Sequence, residues 1–275
     1  MTSLTNMTNM TGLTSMTGPT RVAVVTGAAR GLGRGIAVAL AESGCDVVVN
    51  FSSSEEAAAE TVALVEKTGR RAVAVRGDIA DQATATELAR VAVEEFGSLD
   101  VWVNNAGISV LAPLVDTSAA DMRRMFEVNT VGTMFGIQAA AAAMRRSGRP
   151  GRIVNVASEL GVQAFPYLGA YSATKFAVIG LTQSAALELA ADSITVNAVC
   201  PGTAETDMVL AERSSEVTVT GLTPDAVRAS YLDGIPAGRF CTPEDVGACV
   251  AYLASPSAGY LTGQSVCVNG GSVLH

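Results

Sequence analysis

From residue 21 onward, short runs of consecutive apolar residues alternate along the chain with longer amphipathic segments. The runs are rich in Val and end near Gly, Asn or Asp, which is typical of strands that are buried on both faces. They cover residues 22–25, 47–49, 72–75, 101–103, 153–156, 194–199 and 266–268. The pattern therefore predicts seven buried strands.

The segments between these runs have helical character. Residues 55–68 and 81–96 place apolar side chains three and four positions apart, with charged residues between them. Repeated strand–helix alternation predicts right-handed crossovers between parallel strands. We predict an α/β fold with a Rossmann-like, doubly wound sheet of about seven parallel strands and helices on both faces. A ligand is then expected beyond the carboxyl ends of the strands.

The chain divides into a tail and one domain. Residues 1–20 repeat Met, Thr and Asn and contain neither a basic residue nor the apolar core of a signal peptide, so we predict a disordered tail. Residues 21–275 then form a single dinucleotide-binding domain. Within it, residues 203–240 mix Thr, Glu, Pro and Gly with short helical pieces at 205–213 and 224–232. We expect this lid segment to cover a substrate.

Composition narrows the class of function. The formal net charge of −8 disfavours binding to nucleic acid or to an anionic membrane surface. Five widely spaced cysteines indicate reduced thiols and a cytoplasmic protein. The single histidine is the last residue, His275, which excludes histidine-based zinc sites and Ser–His catalysis. We expect no metal centre.

A glycine-rich turn follows the first predicted strand and precedes a helix that begins near Leu32. Glycines allow a tight turn and a close approach of a pyrophosphate to the backbone, and the helix N-terminus offers free N–H groups. Its position between a strand and a helix strengthens the prediction of a dinucleotide site. The predicted binding residues of the turn are Gly27, Arg30, Gly31, Leu32 and Gly33.

The spacing of Gly27, Gly31 and Gly33 resembles that of the short-chain dehydrogenase/reductase family. The resemblance covers about residues 20 to 272, and its motifs occur in the family's order at the family's usual separations. These further motifs are Asp78, residues 104–107 (NNAG), Asn129, Ser158, residues 171–175 (YSATK) and Pro201-Gly202.

The resemblance implies a nicotinamide dinucleotide as cofactor and indicates which residues would contact it. Asp78 and Ile79 would contact the adenine. The cofactor cleft would be lined by Asn105, Ala106 and Gly107. The nicotinamide end would be held by Pro201, Gly202, Thr203 and Thr206. The resemblance also implies a homotetramer, with interfaces near residues 119–144 and after residue 263.

The end of the second strand bears on the choice between NADP(H) and NAD(H). A site for NAD usually has an acidic residue about 20 positions after the glycine motif. Phe51 stands where NAD-dependent members of the family carry aspartate, and no carboxylate lies between residue 49 and Glu55. Arg30, Ser52 and Ser53 could then bind a 2′-phosphate. We therefore expect NADP(H) to be favoured over NAD(H).

Tyr171 and Lys175 are four residues apart and would lie on one helical face. A nearby ammonium would lower the pKa of about 10 of a free tyrosine, so that Tyr171 can exchange a proton with the substrate oxygen. Ser158, just after the fifth strand, would polarise the same oxygen. Lys175 and Tyr171 would also contact the cofactor. By resemblance, Asn129 is the fourth catalytic residue and organises a proton relay to the lysine.

Three hypotheses for the function follow. The first is an NADP(H)-dependent oxidoreductase that interconverts a ketone and a secondary alcohol. The second is an NAD-dependent diol or polyol dehydrogenase of the same family. The third is a non-catalytic, dinucleotide-sensing protein, which would have no need for all four catalytic-type residues. The cues to the substrate disagree: residues 171–178 resemble relatives acting on acetoin-type diols, whereas residues 49–51 resemble 3-oxoacyl-thioester reductases.

Overall fold

The computed structural model describes residues 20–274. The predicted disordered tail lies outside the described residues except for Thr20. Within residues 20–274 no helix is both long and apolar enough to cross a membrane. In the same range, no cluster of three acidic, Cys or His side chains is placed to hold a metal ion.

Seven strands and nine α-helices make up the described part of the chain. The strands are β1 (Arg21–Val25), β2 (Cys45–Phe51), β3 (Ala72–Arg76), β4 (Val101–Asn104), β5 (Gly151–Val156), β6 (Ile194–Pro201) and β7 (Ser265–Val268). The helices are α1 (Gly31–Glu42), α2 (Glu55–Lys67), α3 (Gln82–Phe96), α4 (Ala119–Met125), α5 (Gly132–Ser147), α6 (Gly169–Leu189), α7 (Asp207–Thr220), α8 (Pro224–Asp233) and α9 (Pro243–Ala254).

All seven strands pair in parallel in the order β3-β2-β1-β4-β5-β6-β7. This arrangement confirms the predicted doubly wound sheet. The chain leaves β1 towards β2 and β3 on one side, and then returns to β4 on the other side. The strand order therefore reverses between β1 and β4, where ligands of such sheets usually bind.

The two faces of the sheet are covered by different helices, which explains the continuous apolar runs. In β1, Val22 and Val24 pack in one buried cluster with α3, α5 and α6, whereas Ala23 and Val25 pack in the other with α1, α2 and α9. Because successive side chains of a strand point to opposite faces, a strand covered on both sides must be apolar at every position.

The lid segment contains two helices that are longer than the sequence pattern indicates. Helix α7 continues to Thr220, seven residues past the predicted end at 213, and stops at Gly221, whose φ is +71°. Helix α8 starts after Thr223, whose side chain accepts a hydrogen bond from the N–H of Ala226. Arg213 is the one residue of α7 that is buried. Because α7 buries so few side chains, its sequence lacks the apolar periodicity from which a helix is predicted.

A buried ion pair joins β2 to the turn before β3. The carboxylate of Asp46 has 1 % of its side chain exposed and lies 2.8 Å from Arg70 and 2.7 Å from Arg71. Burial favours the neutral carboxyl, but hydrogen bonds from the two arginines outweigh that effect and hold the pKa of Asp46 below its usual range. The pair fixes the amino end of the strand, away from the edge where the cleft opens.

Candidate active site

The glycine-rich turn packs directly against the loop that follows β4. Gly27 has a φ of +61°, and a Cβ at this position would lie 2.9 Å from the Cα of Ala106. A Cβ at Gly33 would overlap the carbonyl oxygen of Gly27 and lie 2.5 Å from Asn105 Nδ2. Both positions therefore require glycine if the two loops are to meet.

Two polar side chains that the sequence analysis did not assign hold these loops together. Thr26 Oγ1 accepts hydrogen bonds from the backbone N–H groups of Asn105 and Ala106, at 2.9 and 3.0 Å. Asn50 Oδ1 accepts a hydrogen bond of 3.2 Å from the N–H of Gly27. A buried polar residue at the end of an otherwise apolar strand is a signal that could have identified Asn50.

The first turn of α1 offers backbone donors to a ligand. The helix begins at Gly31, and its N-cap residue Arg30 makes no side-chain capping bond. Thr206, from the segment after β6, lies opposite, with its Cγ2 3.5 Å from the Cβ position of Gly31. Leu32 is half-buried and packs on the core. A narrow cleft with uncapped helix N–H groups fits the pyrophosphate of a dinucleotide.

At the end of β2, two exposed serines and one exposed arginine form the rim of the cleft. Phe51 is buried in the core, whereas Ser52 and Ser53 are exposed. Arg76, in register with Phe51 on β3, donates a hydrogen bond of 3.3 Å from Nε to the carbonyl oxygen of Ser52. Arg76 was missed by the sequence analysis, because only the pairing of β2 with β3 brings it to this rim.

The other predicted adenosine contacts already have partners within the protein. Arg30 lies 3.1 Å from Asp207, the first residue of α7, and both side chains are about two-thirds exposed. The carboxylate of Asp78 lies 2.6 Å from Arg124. Ile79 is 4 % exposed and belongs to the core. Ile79 thus has a packing role whether or not it also contacts adenine.

Ser158, Tyr171 and Lys175 come together at the carboxyl end of β5. Tyr171 and Lys175 lie one turn apart in α6, and the Lys175 ammonium is 5.6 Å from the centre of the Tyr171 ring. Lys175 Nζ donates a hydrogen bond of 2.9 Å to the carbonyl oxygen of Val156. The Ser158 hydroxyl accepts a hydrogen bond from the N–H of Leu160 at 3.1 Å and is close enough to Tyr171 to affect the pKa of its phenol.

The proton affinities of this group differ from the sequence-based expectation. Burial, with a smaller contribution from the negative charge of Glu212, raises the pKa of Tyr171, and the neighbouring Ser158 hydroxyl offsets only part of this rise. Burial lowers the pKa of Lys175 to about 8. The expected lowering of the tyrosine pKa by the lysine is therefore not found, because burial disfavours the charged forms of both groups.

Asn129 lies in a π-helical segment, Phe126–Val131, between α4 and α5. Its Oδ1 accepts from the N–H of Ile108 at 2.8 Å, and its Nδ2 donates to Thr174 Oγ1 at 3.0 Å. A Cβ at Gly107 would lie 3.4 Å from Asn129 Oδ1 and 3.6 Å from Lys175 Nζ. Asn129 and Lys175 thus flank Gly107, and the asparagine ties the loop after β4 to α6.

The segment after β6 contains the residues expected at the nicotinamide end. Pro201 is buried, and the N–H of Gly202 donates to Val268 on β7 at 3.0 Å. The carbonyl oxygen of Thr203 accepts from the N–H of Cys241 at 2.9 Å. These bonds attach the start of the lid segment to β7 and to the chain before α9, so the position of this end of the cleft is fixed by the sheet.

The predicted site residues therefore lie in the six segments that follow β1 to β6, and on the helical segments that contain Asn129, Tyr171 and Lys175. A family model described as Enoyl-(Acyl carrier protein) reductase matches residues 27–273. The chain is 42% identical to L-2,3-butanediol dehydrogenase of Corynebacterium glutamicum over 257 residues, which are 93% of this chain and 100% of that protein. It is 40% identical to 3-oxoacyl-(acyl-carrier-protein) reductase of Staphylococcus aureus over 255 residues, covering 93% and 99% of the two chains.

The fold has a matching solved structure. The acetoin dehydrogenase of Enterobacter cloacae superposes with a TM-score of 0.79 at 38% sequence identity, covering 92% of this chain and 95% of that one. The seven-stranded sheet, the extent of the family match and these relatives agree with one another. The chain belongs to the short-chain dehydrogenase/reductase family and is an NAD(P)-dependent oxidoreductase.

Proposed function

We propose that this protein interconverts a ketone and a secondary alcohol with NADP(H), using Ser158, Tyr171, Lys175 and Asn129 as its catalytic group. The observation that carries the proposal is the convergence of Ser158, Tyr171 and Lys175 at the carboxyl end of β5. A half-buried tyrosine, a hydroxyl and an ammonium around one point can bind a carbonyl oxygen and transfer a proton to or from it.

The bound cofactor supplies or accepts the hydride, and the protein residues handle the proton. With its raised pKa, Tyr171 is protonated at neutral pH and can donate its proton to the carbonyl oxygen during reduction. The Ser158 hydroxyl stabilises the negative charge that develops on the same oxygen. The Lys175 ammonium stabilises the phenolate that remains. Asn129 holds the loop after β4 against α6 and so positions the tyrosine helix.

The preference for NADP(H) is supported by the charges at the end of β2. Ser52 and Ser53 are exposed there, and no carboxylate lies between Phe51 and Glu55. Arg76 makes no ion pair with any residue between 20 and 274, so its charge is available to a 2′-phosphate. Arg30 would have to exchange Asp207 for that phosphate.

The ion pair of Arg30 also favours a second candidate, an NAD(H)-dependent diol or polyol dehydrogenase. If Arg30 keeps Asp207 as its partner, a single arginine remains for the phosphate. The relatives include both a butanediol dehydrogenase and a 3-oxoacyl reductase. A comparison of the affinities for NADPH and NADH separates the two candidates.

The proposal includes a homotetramer in the cytoplasm, with the lid segment covering the substrate. Helix α6 exposes two large apolar side chains, Phe176 at 46% and Leu187 at 85%, and Leu274 at the end of the described chain is 89% exposed. Apolar surface of this kind is often covered by another subunit. All five cysteines are free, which suits a reducing compartment.

The test is a titration of the purified protein with NADPH and with NADH, followed by turnover assays with ketones. We expect Tyr171→Phe to bind cofactor normally and to lose about 10²- to 10⁴-fold in turnover. Tyr260→Phe, at a fully exposed tyrosine, is the matched control and should keep full activity. Unchanged turnover in Tyr171→Phe would contradict the catalytic assignment, and no binding of either cofactor would contradict the enzyme itself.

A further inference from the structure

A buried carboxylate directly follows Ser158 in the chain. Glu159 is 5 % exposed and begins a short 3-10 helix, Glu159–Gly161. A Cβ at Gly161 would lie 2.9 Å from the carbonyl oxygen of Lys175, so this helix packs against the part of α6 that carries the tyrosine and the lysine. The proton transfer proposed above uses Ser158 and its neighbours on α6 but leaves Glu159 without a role.

The Glu159 carboxylate has a hydroxyl as its partner and no cation. Ser272, near the end of the described chain, donates a hydrogen bond from Oγ to Glu159 Oε2. Among residues 20–274, no lysine or arginine lies within ion-pair distance of this carboxylate. A carboxylate that is buried without a cation is costly, and burial accordingly raises the pKa of Glu159. Ionisable groups in such surroundings are concentrated at functional sites.

The carboxylate lies where three segments meet at the carboxyl ends of the strands. A Cβ at Gly202, just after β6, would lie 3.3 Å from Glu159 Oε2 and 2.8 Å from the Cα of Asn269. The N–H of Gly202 donates a hydrogen bond of 3.0 Å to the carbonyl oxygen of Val268 on β7. Glu159 is therefore enclosed by the segments that follow β5, β6 and β7, and little of its charge is screened by water.

Hydride transfer requires the nicotinamide ring to bind close to this carboxylate. The hydride passes between the ring and the carbon whose oxygen Ser158 and Tyr171 bind, so the ring has to contact that carbon. In ketone reduction, the neutral reduced ring gives a hydride to the carbonyl carbon, and Tyr171 gives a proton to the oxygen. The alcohol forms and the oxidised ring is left with a positive charge. A negative charge next to Ser158 thus acts on the two redox forms of the cofactor unequally.

We propose that the Glu159 carboxylate stabilises the positive charge of the oxidised nicotinamide ring, so that the protein binds the oxidised cofactor more tightly than it would without this charge. The hydrogen bond from Ser272 and the positive ring both favour the ionised form of the carboxyl. Because ketone reduction produces the charged ring, the carboxylate favours reduction over alcohol oxidation at the site. This inference rests on the proposed function and concerns the direction of its reaction.

The test measures binding in the absence of substrate. The dissociation constants of the oxidised and the reduced form of the dinucleotide that the protein prefers are determined by calorimetry for wild type and for Glu159→Gln. The amide keeps the size of the side chain and can still accept a hydrogen bond. We expect the oxidised form to bind about 5- to 20-fold more weakly and the reduced form to change by less than about 2-fold. This range corresponds to two unit charges on the order of 10 Å apart at an effective dielectric constant of about 20.

Three further variants make the result specific. Glu159→Met also removes the charge and should change the ratio of the two dissociation constants in the same direction, so the test does not depend on how well the glutamine variant folds. Glu159→Asp keeps the charge and should keep most of the wild-type ratio. Glu188→Gln, at an exposed carboxylate near the end of α6, is the matched control and should change neither constant.

Two kinds of failure can be told apart. Equal weakening of the oxidised and the reduced form in Glu159→Gln and Glu159→Met, or no weakening of the oxidised form, would overturn the inference and leave the proposed function standing. Failure of the wild-type protein to bind either redox form of either dinucleotide would instead refute the proposed function.

Discussion

Replacement of Arg76 by alanine tests how this protein selects its cofactor. The guanidinium of Arg76 lies beside Ser52 at the end of β2, bonded only to a carbonyl oxygen among the residues described. A 2′-phosphate at this rim would bring a strong acceptor to an arginine that has no competing carboxylate. NADH has no such group, so the arginine should contribute to the binding of one dinucleotide and not of the other.

The size of the effect follows from the exposure of Arg76. A hydrogen bond to a charged group contributes about 1.5–3 kcal/mol, and solvent screening at an exposed side chain reduces this to about 1–2 kcal/mol. Since 1.4 kcal/mol corresponds to a factor of ten, Arg76→Ala should weaken NADPH binding by about 5- to 30-fold. Arg76→Lys should restore part of the loss, because it keeps the charge without the planar fork.

The assay is a fluorescence titration of the nicotinamide with NADPH and with NADH, at two salt concentrations. The loss for NADPH should shrink at the higher concentration because surface electrostatics are screened. Arg146→Ala, at an exposed arginine near the far end of α5, is the matched control and should change neither affinity. Equal weakening of NADPH and NADH, or no weakening of either, would refute the assignment of Arg76 to the phosphate.

Three further outcomes are expected. Gly33→Ala should abolish the binding of both dinucleotides and lower Tm, because the new Cβ overlaps the backbone of the turn; normal binding in titration would contradict this close packing. Asp46→Asn should destabilise the fold by about 2–4 kcal/mol in urea unfolding at pH 7, since it leaves Arg70 and Arg71 without their buried partner. Because the Asp46 pKa is depressed, that contribution is present above the unfolded pKa of about 3.9 and is lost as the pH falls through the folded value; a pH-independent difference would refute it. Lys175 has its pKa lowered to about 8, so the folded protein releases this proton before the unfolded chain does. Wild-type stability, measured relative to Lys175→Met, should therefore rise by on the order of 3 kcal/mol between pH 8 and about 10.4, and a flat difference would contradict the burial argument.

The fold and the position of the cleft could be predicted from the sequence because their signals are local. Consecutive apolar residues indicate strands covered on both faces, and the alternation with helices indicates parallel crossovers. The glycine spacing is equally local, since Gly27 and Gly31 adopt φ values of +61° and +56° and a Cβ at Gly33 would overlap the carbonyl oxygen of Gly27 in the same turn. The ends of the lid helices were less well predicted, because α7 buries almost no side chains that would produce a periodic pattern.

The neighbours of the predicted residues were decided only by the tertiary structure. Arg76 reaches the rim because β3 pairs with β2 in one particular register. Asp207, the first residue of α7, likewise reaches Arg30 of the glycine-rich turn only in the folded chain. The proton affinities of Tyr171 and Lys175 likewise depend on how much water the surrounding elements exclude. The sequence by itself determined which chemical groups are present and the fold that holds them. The distances between those groups, their burial and their hydrogen-bond partners depend on contacts between residues far apart in the chain. A local sequence pattern contains no information about such contacts.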